Sequence, residues 1–396
     1  MKIALIGDTY PPFRTSGAIQ LRDLSMGFAR KGHDITMILP DSNISKPWSV
    51  EYYHGVKVYR IKSPRSKEIN FVIRAIGEVL MPFYLIKNLK KSPIKNERFD
   101  GIAWYSPSIF FGPLIKNLKK RNNCKSYLII RDIFPQWTLD MGIMKKGLVY
   151  YFFNRVADYQ YATADIIGVQ TPGNLKFFEN EKKFHKKNIE VLQNWLDLQK
   201  NIECTIQIKE TPLAGRKIFV YAGNMGIAQS TVMLIELAKA FKENETIGFM
   251  FIGRGTESNL LKNIAKKYSL TNTLFYDEID SDEIPNLYSQ CVAGIVSLNE
   301  KHKSHNIPGK FLTYMRSGLP VLAVINPGND LEKIIKEESV GQVCTSHSIE
   351  NIYNCSIMLL DQIEKDNKLA DRCIKLFQRE FNVERAVDQI VNALNN

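Results

Sequence analysis

The residues best suited to handle an anion lie in one stretch, Ile307-Pro308-Gly309-Lys310-Phe311-Leu312-Thr313-Tyr314-Met315-Arg316, preceded by His305 and Asn306. Lys310 reads as lying just before a helix, at its N-terminal end. The helix dipole disfavours a cation there, so the ammonium asks for an anion beside it. A diphosphate suits that need; a solvated lysine is the plain alternative. Thr313, one turn on, offers a hydroxyl that can donate and accept. His305 and Asn306 could offer polar groups to a ligand or belong to an ordinary polar loop.

Three glycine-bearing turns follow strand-like runs: Tyr10-Pro11-Pro12-Phe13-Arg14-Thr15-Ser16-Gly17, Tyr221-Ala222-Gly223-Asn224-Met225-Gly226 and Phe251-Ile252-Gly253-Arg254-Gly255. Where a strand hands over to a helix, glycine lets backbone N–H groups approach an anion that the helix start also favours. Gly17, Gly223, Asn224 and Gly226 are candidates for that work, with turn geometry alone as the competing reason. Arg14 could add a charge or stay solvated. Gly253 and Gly255 read as structural.

Asp132, in Arg131-Asp132-Ile133-Phe134-Pro135-Gln136-Trp137, follows a strand-like run, where an open α/β sheet holds its ligands. It could take a proton from an attacking hydroxyl or steady positive charge. Capping the next helix is the alternative.

The elements that must position these residues alternate in type. Strand-like runs at 2–7, 34–39, 56–61, 101–104, 126–130, 165–169 and 190–192 are followed by others at 217–222, 248–252, 273–275, 293–296, 320–324 and 341–344. Between them lie amphipathic segments such as 20–31 and 231–243. This pattern predicts parallel sheets with crossover helices. It occurs twice, on either side of a polar stretch at 197–215. The expected division is 1–198, 199–382 and a closing helix over 383–396, with Ala386, Val387, Ile390, Val391 and Leu394 on its apolar face.

In order and spacing, these motifs, with Lys31-Gly32-His33-Asp34-Ile35-Thr36 and Ser317-Gly318-Leu319-Pro320-Val321, resemble the large retaining glycosyltransferase family numbered four. The likeness spans nearly the whole chain and points to the branch of bacterial O-antigen and capsule N-acetyl-L-fucosaminyltransferases. It implies an α/β GT-B fold, two Rossmann-like domains whose parallel sheets face across a cleft. The first would bind the acceptor, a polyprenyl-pyrophosphate-linked saccharide, and the second a UDP-linked sugar. Gly17 would face the donor diphosphate, and Pro308 and Gly309 would belong to the donor loop. Family members carry two glutamates eight positions apart; His305 and Thr313 stand there instead. The family's phosphate-gripping Arg and Lys near the Gly223 turn are also missing, and Lys310 is the substitute this chain offers. Where relatives carry a histidine, this chain has Arg131-Asp132.

No Asp-x-Asp arrangement suited to a divalent ion is seen, so no metal is expected. The six cysteines form no Cys-x-x-Cys pair, which argues against zinc or a disulfide framework. The apolar run at 3–6 is too short for a secretion signal, and none is long enough to span a bilayer. Residues 1–200 carry 32 Lys and Arg against 17 Asp and Glu, a balance of +15, while residues 201–396 carry 21 against 24, a balance of −3. A basic half suggests a polyanionic partner; nucleic acid would account for the charge but not for two glycine-turn domains. Residues 71–91 combine Val72, Ile76, Val79, Leu80 and Phe83 with Arg74, Lys87, Lys90 and Lys91, and residues 145–153 mix lysines with aromatics. Both suit a helix in an anionic membrane interface, with core packing as the alternative. The expectation is a cytoplasmic enzyme held peripherally at the inner membrane face. A nucleotide-sugar epimerase of the same fold, or a non-catalytic binding member of an assembly complex, are the other readings.

Overall fold

The computed structural model describes residues 1–13, 15–65, 70–198, 202–300 and 305–396. The chain forms two compact units, Met1–Asp197 together with Asn382–Asn396, and Leu198–Phe381.

The first unit is built on strands β1 (Lys2–Ile6), β2 (Asp34–Asp41), β3 (Trp48–Tyr53), β4 (Val56–Lys62), β5 (Gly101–Tyr105), β6 (Lys125–Ile129), β7 (Ile166–Val169) and β8 (Asn188–Val191). They make one sheet in the order β3-β4-β2-β1-β5-β6-β7-β8. Every pairing is parallel except β3 with β4. Its helices are α1 (Ser16–Arg30), α2 (Phe71–Leu89), α3 (Gly112–Asn122), α4 (Gln136–Asp140), α5 (Leu148–Thr163) and α6 (Pro172–Glu179).

Side chains alternate across the sheet, as strand geometry dictates. Ile3 and Leu5 face a core closed by Leu21, Leu24 and Phe28 of α1, whereas Ala4 and Ile6 face Met81, Leu85, Leu114, Leu118 and Tyr161 from α2, α3 and α5.

The second unit has strands β9 (Lys217–Ala222), β10 (Ile247–Ile252), β11 (Thr273–Tyr276), β12 (Ala293–Ser297), β13 (Val321–Val324) and β14 (Gly341–Cys344). All are parallel, in the order β11-β10-β9-β12-β13-β14. Its helices are α7 (Thr231–Ala240), α8 (Ser258–Lys267), α9 (Ile284–Tyr288), α10 (Gly309–Arg316), α11 (Asp330–Glu338), α12 (Ile349–Lys365) and α13 (Leu369–Leu376). The chain then returns to the first unit as α14 (Val383–Asn395), which buries Val383, Val387, Ile390 and Leu394 in the α1 core.

All thirteen strands expected from the sequence are present, and both domains are Rossmann-like. The strand the pattern missed is β3. It pairs with β4 through a two-residue turn, Tyr53 opposite Val56, and His54 and Gly55 both take positive φ, 47° and 84°. That is the turn a right-twisted hairpin prefers. Its signal was the dipeptide His54-Gly55 between two alternating runs.

Candidate functional site

Each sheet has a point where the strand order reverses, between β1 and β5 in the first unit and between β9 and β12 in the second. Loops leaving the carboxyl ends of such strands diverge and open a crevice. In the second unit the described parts of those loops are the Gly223 turn after β9, residues 298–300 after β12, and residues 305–308 before α10.

Lys310 and Gly223 meet there. Gly223 has φ +136°, and a Cβ built on it would stand 3.6 Å from both Cε and Nζ of Lys310. The ammonium lies 3.5 Å from the centre of the Tyr221 ring, a cation–π contact. Lys310 is half-buried as a residue, yet its Nζ is fully buried and has no hydrogen-bond partner. Burial pulls its pKa down from 10.5 to about 7, because the charged form loses its hydration. The N-cap of α10 is Pro308, which supplies no side-chain cap; the Phe311 N–H donates to the Pro308 carbonyl at 3.0 Å. The Lys310 ammonium, in the first turn of α10, thus stands against the glycine turn.

Tyr314 locks this geometry. One turn after Lys310, its hydroxyl lies 3.3 Å from the Ala222 N–H that it accepts and 3.1 Å from the Val220 carbonyl. Its ring lies over Gly294 in β12, where a Cβ would come within 2.5 Å of ring carbon. In the sequence Tyr314 stood only as one residue of the 307–316 stretch. Neither Tyr221 nor Gly294 was singled out, since both read as ordinary strand residues.

The neighbouring glycines do structural work. A Cβ on Gly253 would overlap the Gly223 carbonyl, and one on Gly255 the Met225 carbonyl. The two loops are joined by Gly223 N–H to Ile252 O (2.9 Å) and Met225 N–H to Arg254 O (2.8 Å). Gly226 packs 3.1 Å, measured to a built Cβ, from Asn224 Nδ2, and that amide donates to Gln229 Oε1 at 3.0 Å. The Asn224 carbonyl accepts the Tyr221 hydroxyl at 2.6 Å.

Three residues after Lys310, Thr313 Oγ1 lies 3.1 and 3.0 Å from the carbonyls of Gly309 and Lys310. Its proton is engaged in its own helix, which leaves it as an acceptor. His305 Nδ1 is buried without a hydrogen bond and sits 3.8 Å from Asp330 Oδ2, at the start of α11. Asn306 is half-buried beside it in sequence. Asp330 is a charged neighbour that the sequence motifs did not reveal.

In the first unit, Gly17 is the second residue of α1, capped by Thr15 Oγ1 on the Ala18 N–H at 3.3 Å. Its built Cβ would lie 3.2 Å from Thr9 Cγ2 and 3.5 Å from the Tyr105 ring. The Tyr105 hydroxyl donates to Gln20 Oε1 at 2.5 Å, and Gln20 and Gln170 both donate to Asn194 Oδ1, at 3.3 and 2.6 Å. This buried polar network ties α1 to the ends of β5, β7 and β8. Arg14 lies outside the described residues. Asp132 is exposed after β6. It is not the N-cap of the next helix, which is Pro135. The N-cap position falls three residues after Asp132, because the helix starts at Gln136 behind the proline.

Arg74 pairs with Glu78 at 3.0 Å along α2, so its charge is locally compensated, whereas Lys87, Lys90 and Lys91 are exposed. The triplet Asp280-Ser281-Asp282 is an Asp-x-Asp sequence, but Asp280 caps a single turn by accepting the Asp282 N–H at 3.0 Å. Among the described residues no group of three or more His, Cys, Asp or Glu is placed to hold a metal ion.

Residues 203–376 match the family described as Glycosyl transferases group 1. The chain is similar to the probable glycosyltransferase WbjE of Pseudomonas aeruginosa, 22% identical over 290 residues that cover 72% of this chain and 71% of WbjE. It is also similar to the putative colanic acid biosynthesis glycosyl transferase WcaI of Escherichia coli K12, 22% identical over 367 residues covering 87% and 86%. A solved structure described as trehalose-6-phosphate from E. coli bound with UDP-2-fluoro glucose superposes with a TM-score of 0.73 at 9% identity, over 100% of this chain and 99% of that one. The second unit thus carries the group 1 region, and the fold is the two-domain GT-B class.

Proposed function

We propose that this chain is a retaining glycosyltransferase that moves a sugar from a UDP-linked donor to a polyprenyl-pyrophosphate-linked acceptor in bacterial surface polysaccharide synthesis. The observation that carries it is the buried Lys310 ammonium, held without a hydrogen-bond partner against the Gly223 turn, at the strand-order reversal of the unit that matches the glycosyltransferase family. A buried cation without a partner is costly, and a diphosphate is the anion whose size and charge fit a glycine turn and a helix start together. UDP is supported by the likeness to a structure holding UDP-2-fluoro glucose. Surface polysaccharide is supported by the similarity to WcaI.

In the reaction the bond from the anomeric carbon to the β-phosphate oxygen breaks, and a bond from that carbon to the acceptor hydroxyl forms on the same face. Negative charge collects on the departing phosphate. Lys310, the first-turn N–H groups of α10 and the backbone of the Gly223 turn, with the Asn224 amide and Gly226 beside it, take up that charge. His305 and Asn306 face the sugar, Thr313 accepts a ribose hydroxyl, and Gly17 holds the phosphate side of the first unit. Asp132 receives the acceptor's proton. No metal is required, and N-acetyl-L-fucosamine is the sugar the sequence resemblance favours. The enzyme works at the inner face of the cell membrane, held there peripherally.

The test is a panel of labelled nucleotide sugars incubated with protein and a polyprenyl-pyrophosphate-linked saccharide. Label should enter the organic phase only when the acceptor is present. Isomerised sugar formed without acceptor would mean an epimerase, and binding without turnover would mean a non-catalytic role.

A further inference from the structure

Helices α2, α3 and α5 cover one face of the first sheet, seated on a common core. Their outer surface is unusual. Twelve of the 22 exposed large hydrophobic side chains among the described residues fall between Ile73 and Tyr159, on α2, α4, α5 and the turn between the last two.

On α2 the exposed residues Ile73, Ile76, Leu80, Phe83 and Tyr84 recur at three- and four-residue spacing, 41–58% exposed, and Lys87 continues the same stripe. The opposite stripe, Met81, Leu85 and Leu89, is in the core. A helix apolar on both sides normally has both sides covered. The apolar exposed stretch runs about 16 Å along the axis. On α5, Leu148, Val149, Tyr151 and Phe152 are 48–90% exposed, with Ile143 (67%) in the turn before them. Lys145 and Lys146 flank that turn, and α3, which packs between α2 and α5, exposes Lys116 and Lys120. Acids on these three helices are matched: Glu78 pairs with Arg74 (3.0 Å) and Asp158 with Lys183 (2.8 Å). The layer is therefore apolar, basic, apolar in section. Among the described residues no helix is long and apolar enough to cross a membrane.

We infer that this helix layer is a docking surface for an anionic phospholipid bilayer, with the outer stripe of α2 and the 143–152 segment at the acyl boundary and the lysines at the headgroups. The inference rests on the membrane placement proposed above and names the surface that makes it. Apolar residues alone would suit a second copy of the chain or another protein. The flanking lysines with no unmatched acid favour an anionic lipid surface, where each adds to binding at low salt.

The test is co-sedimentation with vesicles of phosphatidylcholine, with and without phosphatidylglycerol. Wild-type protein should bind the anionic vesicles at least tenfold more strongly at low salt, and high salt should release it only in part. Lys87→Glu/Lys90→Glu/Lys91→Glu should weaken anionic binding by about a hundredfold or more. Phe83→Glu/Leu148→Glu/Phe152→Glu should abolish the salt-resistant part. UDP affinity, unchanged in both variants, reports that they fold. Wild-type protein that ignores anionic vesicles, apolar variants that bind as wild type, or a dimer whose disruption alone follows from those variants would each overturn the surface. Failure of wild-type protein to bind UDP while it binds vesicles would instead sink the sugar-transfer reading and leave this one standing.

Discussion

Replacing Lys310 by methionine should make the empty protein more stable and its nucleotide complex weaker. Methionine keeps an apolar stem over Tyr221 and removes the charge. The ammonium's pKa falls from 10.5 to about 7 on burial, and at about 1.4 kcal/mol per pH unit this corresponds to roughly 5 kcal/mol against the charged form. Because the folded value is the lower one, that penalty is fully present below about pH 7 and fades as pH rises towards 10.5. Wild-type protein without ligand should therefore gain stability across that window, and Lys310→Met should flatten the gain and be the more stable protein at pH 7. A nucleoside diphosphate reverses the electrostatics: it favours the ammonium and raises its pKa. UDP binding at pH 8 should take up close to one proton, and affinity should fall by up to tenfold per pH unit above about 7. Lys310→Met should bind UDP about ten- to a hundredfold more weakly, the worth of a charge-assisted contact. Calorimetry in two buffers of different ionisation enthalpy measures the proton, and denaturant titration measures stability. Identical binding enthalpies in both buffers, or a variant that binds UDP like wild type, would refute the reasoning.

Gly294→Ala should displace Tyr314, whose ring carbon lies 2.5 Å from the built Cβ; about 1–3 kcal/mol of stability and most UDP affinity should be lost in denaturation and binding assays, and an unaffected variant would remove Tyr314 from its locking role. Asp132→Asn should cut turnover about a hundredfold or more with UDP affinity unchanged, because the carboxylate handles the acceptor's proton; equal turnover would leave Asp132 without that role. Transfer should survive a chelator, and activity lost with EDTA and restored by Mg²⁺ or Mn²⁺ would contradict a metal-independent site.

Much of the fold was legible because periodicity records burial. Parallel strands covered on both faces read as apolar runs, and the helices between them carry three- and four-residue spacing. The edge strand β3 escaped because its apolar positions Val50 and Tyr52 are exposed, so its alternation marks no buried face. Lys310 was legible because a cation at a helix start breaks a local rule, and such breaks mark function. Its partners were not. Tyr221 and Gly294 obey the strand pattern, and only the pairing of β9 with β12 brings them to α10. Asp330 lies 25 positions from His305 in the chain, and no motif joins them. The lysines at 87, 90 and 91 were legible as charge, but the apolar stripe they end could be told from a core stripe only once Ile76, Leu80 and Phe83 were found exposed.

The most direct test of the donor site is an experimental structure with UDP bound. The diphosphate should lie between the Gly223 turn and the start of α10, within hydrogen-bond distance of Lys310 Nζ, with the ammonium drawn off the Tyr221 ring. A diphosphate bound elsewhere, with Lys310 still folded over Tyr221, would contradict the account.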